Sequence, residues 1–207
     1  FSGFSASVTG MSSKPLGISE IGVSYPDASF GKETYLAPGY PFTYLLRDIL
    51  QFDNTVEEAV TRITGAKRTC DLILGVGDGN SNKFRGFQYS PTVANVFDDT
   101  NLEPTAEWHP KINDIVYWGM DWICPNDNTM LSHQLNAYHG NLTAELTIRE
   151  VIPYVQTGDL HVAIYDFSSM HMFVSVARPG NASGAEKAFQ RPFAKLNMTQ
   201  IFAEPHP

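Results

Sequence analysis

The 207-residue chain is 43% hydrophobic and 17% charged, enough apolar material for one sizeable core in a single domain over residues 1–207, and too much for a disordered chain. Its 14 basic and 22 acidic residues leave a net charge of −8, and no cluster of Lys and Arg offers the footprint that a phosphate backbone needs, so nucleic acid is excluded as a partner. No apolar run nears the ~20 residues that cross a bilayer, so no membrane span is expected, and the two cysteines, Cys70 and Cys124, exclude a disulfide-dense scaffold or a thiolate zinc site within the chain.

In chain order, Phe4 to Val8 and Leu16 to Tyr25 read as β-rich runs around the turn-forming Thr9 to Pro15, which predicts a hairpin. From Pro41, a residue suited to a helix's first turn, Phe42, Leu45, Leu46, Ile49 and Leu50 recur at helical spacing. Asp53 and Asn54 break that helix, and Thr55 with Glu58 has capping-box spacing ahead of Val56, Ala59, Val60 and Ile63, predicting a second helix that ends near Gly65. Cys70 to Gly79, Lys83 to Tyr89 and Val93 to Phe97 follow as strands of an antiparallel meander. Ile112 to Met120 reads as a further strand, 121–128 as a loop, and a helix from about Thr129 to Tyr138 takes its cap from Asn128 or Thr129. Thr143 opens a last helix with the stripe Ile148, Val151, Ile152 and Val155, in which Pro153 predicts a kink or early stop. His161 to Phe167 and Met170 to Ala177 form a final strand pair. Paired helices alternating with antiparallel strands predict a layered α/β sandwich.

Several residues invite chemistry. Gly75-Val76-Gly77-Asp78-Gly79 has the glycines of a phosphate loop, but the next element is a strand, so Asp78 and Gly79 read as hairpin residues. The six histidines lack the helical spacing of a zinc protease; His161 and His171 sit on neighbouring strands and are read as structural. There is no Gly-x-Ser-x-Gly elbow. Cys70 at the start of an apolar strand reads as buried and inert, and Cys124 beside Trp122 as reactive or disulfide-bonded. All three tryptophans fall between Trp108 and Trp122, with Tyr117 and Trp118 between them, either as a core plug or as the apolar wall of a cleft. Trp108, Tyr117, Trp118, Asp121 and Trp122 are therefore the substrate-binding candidates. Asn-x-Ser/Thr acceptors at Asn141, Asn181 and Asn197 point to a glycoprotein, secreted or lysosomal.

Thr9-Gly10-Met11, the helix from Pro41 to Leu50, Arg68-Thr69, Gly77-Asp78-Gly79 and Thr157-Gly158-Asp159 fall in an order that resembles the acyl-coenzyme A:isopenicillin N acyltransferase-like family of N-terminal-nucleophile (Ntn) cysteine hydrolases, in particular its ceramidase-like eukaryotic branch. The resemblance covers nearly all 207 residues. It implies a four-layer αββα sandwich with mainly antiparallel sheets, and autoproteolysis just before a cysteine that then attacks the substrate while its own amine serves as base. Phe1 is not such a nucleophile, so the chain reads as the C-terminal portion of the fold, with the cysteine and its supporting Arg and Asp on a missing N-terminal segment or chain of the same precursor. Family members carry Thr-Asn-His where this sequence has Thr100-Asn101-Leu102, so Asn101 is either an oxyanion donor or a turn residue. The resemblance implies a small N-acyl substrate and no cofactor; the histidine spacing gives no metal site, and a homo-oligomer is left open. A non-catalytic member that uses the sandwich for binding or assembly is the alternative.

Overall fold

A computed structural model describes residues 5–31, 39–102, 106–181 and 184–205. The chain groups into two compact units, Phe1–Glu103 with Asn113–Val116, and Pro104–Ile112 with Tyr117–Pro207.

The first unit is an antiparallel sheet under two helices. Strands β1 (Gly10–Met11) and β2 (Leu16–Gly22) precede helices α1 (Phe42–Phe52) and α2 (Val56–Gly65), and β3 (Leu72–Asp78), β4 (Lys83–Tyr89) and β5 (Ala94–Phe97) follow. The sheet order is β1-β2-β3-β4-β5, with Ile18 opposite Val76 and Leu74 opposite Phe87. Because strand side chains alternate, these residues share a face, and they pack against Leu45, Leu46 and Ile49 of α1 and Val56, Ala59 and Ile63 of α2. The meander and both helices fall where the sequence pattern predicts them.

The caps differ in detail from the prediction. Pro41 is the residue before the first turn of α1 rather than within it. Thr55 Oγ1 accepts from Glu58 N at 3.2 Å, but the Glu58 carboxylate accepts from Asn54 N at 2.7 Å, one residue earlier than a capping box requires. The first hairpin also differs. Phe4 lies outside the described residues, and Ser7 N donates to Thr43 O at 2.9 Å at the start of α1, so the backbone there is not available to β2. The strand forms instead at Gly10–Met11, where a Cβ on Gly10 would come within 2.7 Å of Leu50 Cδ1.

Gly75, Gly77 and Asp78 all lie inside β3, and the turn to β4 occupies residues 79–82, which is hairpin geometry rather than a phosphate loop. Asp78 is 2% exposed, and its carboxylate accepts from Asn80 N at 2.9 Å, Ser81 N at 3.3 Å and Val56 N at 3.2 Å. Burial pushes its carboxyl up, but the bonds from Ser81, Val56 and Asn80 outweigh that and hold it below the ordinary value. One side chain thus closes the hairpin and satisfies the first free N–H of α2.

In the second unit, α3 (Asp127–Ala137) starts after Asn126, which adopts a left-handed conformation at φ 74° and makes no side-chain cap. The expected cap at Asn128 or Thr129 is not formed, because Asn128 is held elsewhere, as described below. The next helical run is capped by Thr143 Oγ1, accepting from Leu146 N at 3.1 Å, and passes through α4 (Ala144–Leu146), a π turn (Thr147–Val151) and α5 (Ile152–Val155). Pro153 has no N–H to donate into the ladder, and the turn just before it, Thr147–Val151, widens to a π turn.

Strands β6 (His161–Asp166) and β7 (His171–Val176) pair as a hairpin; β8 (Arg178–Asn181) pairs with β9 (Gly184–Glu186), and β10 (Ala194–Asn197) adds to β7 before α6 (Met198–Ala203). The C-terminal elements from β8 onward were not anticipated. The strand expected over Ile112 to Met120 is not formed: the segment carries single bridge residues at Ile112 and Ile115 around a turn and no ladder after them, beside an isolated bridge between Ala106 and His109. Its backbone is claimed by side chains, since Gly119 N donates to Asn128 Oδ1 at 2.5 Å and Met120 N to Asp127 Oδ2 at 3.3 Å.

Candidate functional site

The aromatic segment of the second unit folds around a histidine. His109 is 0% exposed; Trp108 stacks beside it at 5.8 Å between ring centroids, and Tyr117 and Trp118 meet it edge-on at 4.7 and 5.3 Å. Its Nε2 lies 3.2 Å from Tyr117 O. Tyr117 is buried, its hydroxyl donates to Pro110 O at 2.6 Å, and burial pushes its pKa up to about 12. The hydroxyl is therefore a neutral donor at any physiological pH.

Of the five residues expected to bind substrate, Trp108, Tyr117 and Trp118 are brought together, and the residue that joins them is His109. That role was missed: a single His between Trp and Pro carries no periodic signal. Trp108 is 43% exposed and presents the cluster's open face, whereas the Tyr117 ring is interior. Trp122 is half-buried in the following turn.

Asp121 has a structural partner. Its carboxylate accepts from Asn128 N at 3.0 Å and Asn128 Nδ2 at 2.9 Å, while Asn128 Oδ1 takes the Gly119 N–H. The loop is closed so tightly that a Cβ on Gly119 would lie 2.6 Å from Asp127 Cβ and 2.9 Å from Asn128 N. Burial, reinforced by the Asp121 charge, raises the Asp127 carboxyl above its ordinary value.

Asn101 belongs to the first unit and organises the turn after β5. Its Oδ1 accepts from Asp98 N at 2.7 Å, its Nδ2 donates to Val96 O at 3.1 Å, and Asp98 Oδ1 accepts from Thr100 N at 2.8 Å and Asn101 N at 3.2 Å. A primary amide carries two hydrogens, and Val96 O takes one.

The β6–β7 hairpin assembles Asp166, Ser169 and His171. Ser169 Oγ donates to Asp166 Oδ2 at 2.6 Å and lies 2.7 Å from His171 Nδ1. The order is wrong for a hydrolase triad, where the imidazole sits between carboxylate and serine and removes the serine proton; here the serine sits in the middle and the carboxylate holds its proton. The Ser168 and Ser169 hydroxyls lower the Asp166 pKa, consistent with a turn-closing role. His161 pairs with Val176 and His171 with Asp166, so the two histidines stand at opposite ends of the hairpin, roughly 17 Å apart at ~3.3 Å per residue. No disulfide joins the two cysteines. Burial and the nearby Asp127 and Asp159 push the Cys124 thiol up, which opposes thiolate formation.

Among the described residues no three His, Cys, Asp or Glu come together to hold a metal ion, and no helix is long and apolar enough to cross a membrane. A shallow recess over α2 is lined by Asp53, Glu57, Glu58, Thr61 and Arg62, with its carboxylates bonded to Arg62, Lys83 and Asn54. Asn141 and Asn197 are exposed; the side chain of Asn181 lies outside the described residues.

Two crystal structures of conjugated bile acid hydrolase from Clostridium perfringens match the architecture. A cysteine-to-alanine mutant matches 92% of this chain and 77% of its own at a TM-score of 0.54 and 14% identity. The fold is that of the Ntn hydrolases. An arginine-to-leucine variant of the same enzyme agrees, at a TM-score of 0.53 and 12% identity. In sequence, protein dcd1A of Dictyostelium discoideum is 33% identical over 174 residues, 79% of this chain and 39% of that protein. Protein dcd1B of the same organism is 34% identical over 186 residues, 84% of this chain and 37% of that protein. This chain thus spans well under half the length of these relatives. No family model matches it.

Proposed function

We propose that this Ntn-hydrolase fold is part of an amidohydrolase or acyltransferase that acts on N-acyl amides through a cysteine thioester. The nucleophile is assigned to a segment of the same precursor outside these residues. The observation that carries the reading is the match of 92% of the chain to the fold of a hydrolase of conjugated bile acids, which are themselves N-acyl amides. The greater length of the dcd1 relatives leaves room for such a segment.

In this reading a thiolate adds to the amide carbonyl, the amine departs with a proton, and water or a second amine then takes the acyl group from sulfur. The Asn101 hydrogen not taken by Val96 O is the oxyanion donor this chain offers. A non-catalytic role in binding or assembly is the second reading. It is favoured by the local engagement of the other polar candidates: Asp121 holds Asn128, and Asp166 holds Ser169.

Mass spectrometry of the full-length native protein, without and with reduction, tests the choice when combined with hydrolysis assays on N-acyl amides. A companion segment beginning with Cys, together with amide hydrolysis blocked by thiol alkylation, supports the enzyme. Its absence, together with no hydrolysis, leaves the binding role. In an active preparation, Asn101→Asp is expected to lower kcat by about 10²–10³-fold with little change in KM, the signature of a donor used in the transition state.

A further inference from the structure

The three Asn-x-Ser/Thr sequences have no part in the chemistry above, and the structure separates them. Asn181 is set aside because its side chain is not described. Asn197 already has structural work: its Oδ1 accepts from Gln200 N at 3.1 Å and starts α6, so replacing it removes a cap and an acceptor together. Asn141 has no such duty. It sits in the turn between α3 and the Thr143-capped helix, its backbone N–H donates to Tyr138 O at 2.9 Å, and its side chain is exposed.

The surroundings of Asn141 are open as well. Gly140 turns the chain at φ 80°, and a Cβ placed on it would meet nothing within 4 Å. Leu142, between acceptor and hydroxyl residue, leaves 36% of its surface in solvent, an apolar spot that the first sugar of a glycan can cover. Thr143 supplies the sequon hydroxyl and, once the chain has folded, caps the helix through Leu146 N. The two uses do not compete, because a sequon is read on the unfolded chain and the cap forms afterwards.

We infer that Asn141 is an N-glycosylation site, carrying an oligosaccharide that stands clear of the fold. In the transfer, Asn141 Nδ2 bonds to the anomeric carbon at the reducing end of a lipid-pyrophosphate-linked oligosaccharide. The bond from that carbon to the pyrophosphate oxygen breaks, the lipid pyrophosphate leaves with the electron pair, and the amide gives up one proton. The modification requires entry into the secretory pathway and is independent of whether the protein hydrolyses amides.

The test uses full-length protein isolated from its own cells, digested and treated with peptide-N-glycosidase in heavy-oxygen water, which leaves a heavy-oxygen Asp wherever a glycan was attached. The peptide spanning residue 141 is expected to carry this tag. Asn141→Gln is expected to lose one glycan from the intact mass with Tm unchanged, Thr143→Ser to keep both glycan and Tm, and Thr143→Ala to lose the glycan and lower Tm. Recovery of the Asn141 peptide only in untagged form overturns the inference, as does an undiminished glycan mass in Asn141→Gln.

Discussion

The helices of the two units bury different kinds of face. In the first, α1 and α2 bury Leu45, Leu46, Ile49, Val56, Ala59 and Ile63 against one face of the sheet. In the second, α3 buries Asn128, Ser132 and Gln134, and the preceding loop closes on side-chain amides, carboxylates and a histidine. The first interior gains chiefly from area removed from water and tolerates swaps that conserve volume. The second also buries Val151, Ile152, Val155 and Phe173, but around the start of α3 it depends on polar groups finding their partners, so the loss of one group there affects others.

Truncation in the dry core is expected to have the largest effect. Ile49→Ala should cost ~2–5 kcal/mol, read from the urea midpoint, because it opens a cavity at a fully buried site. Asn128→Ala, in the polar interior, should cost roughly 2–3 kcal/mol although it removes few atoms, since it leaves the Gly119 N–H without its acceptor and takes from the Asp121 carboxylate one of its two donors, the backbone N–H remaining. If Asn128→Ala proves nearly neutral while Ile49→Ala does not, the contrast between the interiors is wrong.

Titration adds a contrast between two single carboxyls, one from each unit, that respond to acid with opposite sign. Asp78 has a folded pKa below its ordinary 3.8, so its contribution is complete above that value and is lost as pH falls through the folded pKa. Asp127 has a folded pKa above 3.8, so its contribution is complete below that value and is lost as pH rises through the folded pKa. Unfolding midpoints measured against pH should show that Asp78→Asn flattens the acid limb, whereas Asp127→Asn removes the decline above it. The smallest expected effect is at a helix end: Thr55→Ala should cost ~1 kcal/mol by removing the bond to Glu58 N, seen as a modest fall in Tm.

Legibility in the sequence follows the same division. The helices α1 and α2 and the meander could be read because apolar period, capping residues and Asp-Gly turn chemistry are local signals that all favoured one outcome. Tyr117 and Trp118 misled, since β-branched and aromatic residues in a row read as a strand, whereas here the rings bury against His109 and the next two backbone N–H groups are taken by Asn128 and Asp127. Nothing local marks a side chain seven to nine positions away as the partner of a backbone group. For the same reason Asn126 could not be foreseen as the start of α3, because the residue expected to cap it was needed by Gly119. At the candidate site, the aromatic residues could be read as a cluster, but the histidine that joins them could not.

Asp78 also has a kinetic consequence. Its carboxylate links the turn of a local hairpin to the first amide of a helix that begins 22 residues earlier in the chain, so a single contact joins a short-range event to a longer-range one. Such a contact belongs to a folding nucleus, in which a few distant interactions stabilise structure that is otherwise formed locally. Removing the carboxylate is therefore expected to slow refolding more than it accelerates unfolding, with a φ-value well above that of a residue in the β6–β7 turn. The first unit would then commit to its topology through a charged side chain at the rim, before the apolar residues above the sheet have fully packed.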